Sequence, residues 1–78
     1  MANLISDRLV NALVAKYQAQ ILEAQANIDV LLETHVGVAE HPGIIETLDH
    51  LVTQLADAED KLNTVNDNLI VPTPPKVV

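Results

Sequence analysis

The chain contains no cysteine, tryptophan or phenylalanine, and only one tyrosine, two glycines and four basic residues. Without a thiol there can be neither disulfides nor thiolate metal sites, and the redox compartment is left undetermined. With Tyr17 as the single aromatic there is no platform on which bases could stack. Eleven acids against four bases give a formal charge of −7, which opposes phosphate binding and argues against nucleic acid as a partner. Two glycines cannot furnish a glycine-rich phosphate loop. Ser6 is the only serine, and no histidine lies near it in a helical reading, so a nucleophile with its base cannot be assembled within one chain. The expectation is a protein that is not an enzyme and carries no cofactor.

Membrane spans are also missing from the pattern, because no apolar run reaches the roughly 18 residues that a bilayer crossing demands. The first residues, Met-Ala-Asn-Leu-Ile-Ser-Asp-Arg, lack a basic stretch followed by an apolar one. Together these features predict a soluble, unexported, intracellular protein with no membrane partner.

What the chain does have is spacing. Ile44, Leu48, Leu51, Leu55, Ala58, Leu62, Val65 and Leu69 follow one another at steps of 4, 3, 4, 3, 4, 3 and 4. Val10, Val14, Tyr17, Ile21, Ala24, Ile28 and Leu31 repeat the pattern at steps of 4, 3, 4, 3, 4 and 3. Alternating steps of three and four keep side chains on one stripe of a helix, so each segment is predicted to press that stripe against another helix. A first helix over about 4–33 and a second over about 43–70 are nearly equal in length, about 45 and 40 Å at about 1.5 Å per residue. Residues 34–42 form the loop. A connection this short makes the helices antiparallel neighbours. The fold class is therefore all-α, an antiparallel two-helix hairpin of coiled-coil type over residues 1–71.

The ends of the helices are written in residue types. Asn3 or Ser6 can cap the first helix by accepting a hydrogen bond from a free amide, with Asp7 favouring the positive end of the helix dipole. Gly37 is suited to the left-handed conformation that ends a helix, and Pro42 to the first turn of the next. Pro72 biases Val71 away from helix, and Pro74 and Pro75 cannot rejoin it, which predicts an extended proline-rich tail over 72–78.

A hairpin of this size is marginal alone. A second set of apolar residues lies off the seam: Ile5, Leu9, Leu13 and Leu22 in the first helix, Ile45 and Val52 in the second. Apolar stripes wider than one two-helix contact predict a homo-oligomer, most simply a dimer forming a four-helix bundle, with larger oligomers as alternatives.

Charge is distributed unevenly. Residues 19–54 hold Glu23, Asp29, Glu33, Glu40, Glu46 and Asp49 with no Lys or Arg, together with His35, His41 and His50, whereas Arg8, Lys16, Lys61 and Lys76 all lie outside that span. The tip of the hairpin is thus acidic and suited to a basic protein partner. A rival reading makes it a cation or small-ligand site, with His41, His50, Glu40 and Glu46 as metal ligands; their spacings match no zinc pattern, and Glu46 with His50 is also an ordinary helix-surface pair.

Glu40-His41-Pro42-Gly43-Ile44-Ile45-Glu46, followed by Ala56-Asp57-Ala58-Glu59-Asp60-Lys61-Leu62, resembles small helical hypothetical proteins of T4-like marine cyanophages. The resemblance covers about half the chain and implies a viral origin and a compact helical protein of unassigned activity, placed in the host cytoplasm or the virion. It implies no catalytic or ligand residues.

Overall fold

The computed structural model describes residues 4–35 and 43–70, and the side chains of residues 6–34 and 43–70. Two helices account for almost all of them: α1 over Leu4–His35 and α2 over Ile44–Asn68, with no strand among the described residues. The chain is an all-α helical hairpin. At about 1.5 Å per residue, α1 with its 32 residues is about 48 Å long and α2 with its 25 about 38 Å, so the described residues form two rods.

The helix ends depart from the sequence reading by a turn or less. Ser6 lies inside α1, which begins at Leu4, so Ser6 is not its cap, while Asp7 does stand in the first turn. Thr34 and His35 continue α1 instead of opening the loop. Gly43 is not the first residue of α2 but its N-cap, in the left-handed region at φ 83° and ψ 5°, with its carbonyl accepting the Thr47 amide at 2.9 Å. That conformation is nearly free for glycine and strained for residues with a Cβ. Asn3, Gly37, Pro42 and the tail at 72–78 lie outside the described residues.

At the other end, α2 stops at Asn68. Leu69, expected on the seam, is the C-cap at φ −110°; it donates its amide to the Val65 carbonyl at 2.8 Å and remains 53% exposed. Ile70 donates to the same carbonyl at 3.2 Å. Two amides converging on one carbonyl satisfy it as the helix unwinds, and the turn swings Leu69 away from the seam.

The interior is thin. Ala24, Ala58 and Val65 are its buried apolar residues, and no large side chain is fully enclosed among the described residues. Val10, Val14, Tyr17, Ile21, Ile28 and Leu31 of α1 are half-buried, as are Ile44, Leu48, Leu51, Leu55 and Leu62 of α2. Two cylinders touch along a line, so a side chain on that line has a neighbour on one side and water on the other. Alanines bury because they are short and the opposing backbone reaches over them. Val65, near the end of α2, is buried at 4% exposed.

Candidate interaction surface

The outer faces of the two helices differ in chemistry. Opposite its seam, α2 carries Glu46, Asp49, Thr53, Asp60, Thr64 and Asp67, all exposed. Three polar side chains there bond to the helix's own carbonyls: Thr53 Oγ1 donates to Asp49 O at 2.9 Å, Thr64 Oγ1 to Asp60 O at 2.9 Å, and Asn68 Nδ2 to Thr64 O at 2.8 Å. Such back-bonding leaves a hydrated polar surface with its donors occupied.

The outer face of α1 is apolar instead. Leu9 and Leu22 are each 66% exposed, and Val30 is similarly bare. Between them Ala12, Ala15, Ala19 and Ala26 are exposed as well. Large apolar side chains strung along one helix face, with no covering element among the described residues, make that face a candidate for contact with another surface. Toward the tip, Leu32, Ile45 and Val52 are exposed too, Ile45 at 71%.

Four of the six residues expected to form an oligomer interface are thus bare in the single chain: Leu9, Leu22, Ile45 and Val52. Leu13 departs from that group, because it is already half-covered within the hairpin. It flanks the seam by one position, where the neighbouring helix shields part of it. The side chain of Ile5 lies outside the described ones. Val30 and Leu32 were not singled out by spacing. The signal for Val30 was its distance of eight residues from Leu22, which returns it to the same face about two turns later.

A second concavity lies along one side of the hairpin. Gln20, Glu23, Gln54, Asp57 and Lys61 surround a shallow groove of about 200 Å³ whose floor is Ala24 and Ala58. The alanines bring no side chain to fill it, and the rim is polar. Every rim residue is solvent-exposed, so the groove holds water without excluding it.

Of the candidate metal ligands, Glu46 and His50 lie one turn apart on α2, both exposed, while Glu40 and His41 are outside the described residues. Among the described residues, no group of three or more His, Asp or Glu side chains is arranged to hold a metal ion. The described acids of the tip half, Glu23, Asp29, Glu33, Glu46 and Asp49, are all exposed. No described helix is long and apolar enough to cross a membrane.

No protein-family model, curated protein sequence or solved structure matches the chain.

Proposed function

We propose that the chain is a non-enzymatic helical hairpin that self-associates, most simply as a dimer, and serves as an interaction or accessory protein. The observation that carries this reading is the bare outer face of α1, where Leu9, Leu22 and Val30 stand in water. Burying a leucine side chain is favourable by about 1.5–3 kcal/mol, and a hairpin with no large side chain fully enclosed among its described residues gains much from such burial. A second helical surface laid on that face would supply the missing interior. The phage setting is a companion proposal, supported by the two sequence stretches around Gly43 and Asp57.

Sedimentation equilibrium across micromolar concentrations tests the reading. A dimer or a larger closed oligomer is the expected result. A stable, folded monomer at all concentrations would refute it.

A further inference from the structure

We infer that the partner on the outer face of α1 is the same helix of a second copy, running antiparallel, with the two-fold axis passing beside Ala19. The inference rests on the self-association proposed above and specifies its face and direction. It starts from which residues share the strip. Leu9, Ala12, Ala19, Leu22, Ala26 and Val30 all lie on the side of α1 opposite the seam and are all exposed. Ala12, Ala19 and Ala26 are spaced by sevens, so they form a nearly straight row of small side chains that allows two helices to approach closely, while the leucines and Val30 stand at its borders.

Charge sets the direction. Along the strip, Arg8 and Lys16 occupy the N-terminal half, and Glu23, Asp29 and Glu33 the C-terminal half, each side chain exposed. A parallel pair would lay the two basic N-terminal halves side by side and the two acidic C-terminal halves side by side. An antiparallel pair centred on Ala19 brings residue n level with residue 38 − n of the second copy. Lys16 then comes level with position 22, beside Glu23, and Arg8 comes level with position 30, between Asp29 and Glu33.

The edges agree as well as the heights. At about 100° per residue, Lys16 and Glu23 lie on one edge of the strip and Arg8 and Asp29 toward the other, while Glu33, seven residues beyond Ala26, continues the central row. A two-fold axis perpendicular to the plane of the two helices keeps each edge on its own side, so every basic residue meets acids and not its own kind. The same operation opposes the two helix dipoles and sets Ala12 against Ala26 of the second copy. Leu9 falls beside Val30, and Leu22 falls over the space beside Ala15 and Ala19. The acidic outer faces of α2 are left pointing away from each other. No other long face of the described helices offers both apolar surface and matching charges.

A chain with no native cysteine allows the arrangement to be read by single-cysteine cross-linking of the full-length protein. Ala19→Cys places two thiols at the axis, within the roughly 4.4–6.8 Å between Cα atoms that a disulfide requires. In Ala12→Cys the two thiols of a dimer would be about 21 Å apart along the helix axis, and likewise in Ala26→Cys. Under mild oxidation A19C should therefore become a covalent dimer, A12C and A26C alone should not, and a mixture of A12C with A26C should cross-link. Efficient cross-linking of A12C or A26C alone would overturn the antiparallel assignment. A dimer by sedimentation in which none of these variants cross-links would overturn the face while leaving self-association intact. A monomer would remove both. As a second reading, Lys16→Glu should weaken the dimer by about tenfold, since it reverses two symmetry-related contacts, and Lys16→Glu combined with Glu23→Lys should restore it. Loss without rescue would refute the charge pairing.

Discussion

Lys61 Nζ stands 5.9 Å from the centroid of the Tyr17 ring, so the longest side chain on this stretch of α2 lies over the single aromatic of α1. The contact joins the helices at a point about two turns along α1 from Ala24 and less than one turn along α2 from Ala58. It also lies over the face of a ring that the two-helix seam can only half bury. At a solvent-exposed site such a contact is worth about 0.5–1 kcal/mol. Lys61→Ala should lower stability by no more than that, and Lys61→Arg should keep it, as read by urea denaturation. A loss of several kcal/mol would mean that Lys61 has a structural partner beyond the ring.

Ala24 and Ala58 floor one groove and are both buried, marking where the helices need small side chains. Ala58→Leu should destabilise the hairpin by about 1–3 kcal/mol by forcing the helices apart. Ala56→Leu, on the exposed side of the same helix, should change stability by less than about 0.5 kcal/mol. Thermal unfolding of the two variants at one protein concentration compares them directly.

Val65 is the most enclosed side chain larger than alanine. Val65→Ala removes two methyl groups from a spot that water cannot readily fill, and should cost about 1–3 kcal/mol in chemical denaturation. Leu69→Ala, at a residue that remains mostly exposed, should cost clearly less although both residues fall on the same heptad pattern.

Gly43 enters α2 at positive φ, and among the described residues a Cβ built on it would meet Glu46 Oε2 at 3.8 Å, an ordinary contact. The penalty for Gly43→Ala is therefore expected from backbone conformation, about 1–2 kcal/mol. Gly43→Asn should be milder, because asparagine enters the left-handed region more easily. If alanine and asparagine were equally harmless, this cap would not be contributing to the start of α2.

Leu22→Lys should separate folding from assembly. The side chain is two-thirds exposed in the single chain, so the hairpin loses little of its own packing, but a charge is placed in the middle of the bare α1 strip. Sedimentation should show a dimer weakened at least tenfold. Helix content, measured by circular dichroism at concentrations where both proteins are dimeric, should be unchanged.

The hairpin was legible because its information is local and periodic. Steps of three and four chose Val10, Val14, Tyr17, Ile21, Ile28 and Leu31, and these side chains share one side of α1 whatever the rest of the chain does. What periodicity could not read was where each pattern ceases to matter. Leu69 continues the spacing but follows the last helical residue, so it turns outward. Leu13 breaks the spacing, yet lies near enough to the seam for α2 to shade it. Gly43 takes its positive φ ahead of a helix and not after one, a use of glycine that residue type alone does not announce. The outer strip on α1 was half visible in Leu9 and Leu22, but its alanines look like helix filler until the fold shows that they face water.

Composition and spacing by themselves determined that the chain makes two long amphipathic helices and which stripe of each turns inward, since both follow from residue type and helical periodicity. Tertiary structure alone decided how much that inward turn accomplishes. Two rods meeting along one line enclose small residues such as Ala24 and Ala58 and leave the large described ones, Leu, Ile and Tyr, in partial contact with water, because burial depends on neighbours from all sides, and a single hairpin supplies them from only one.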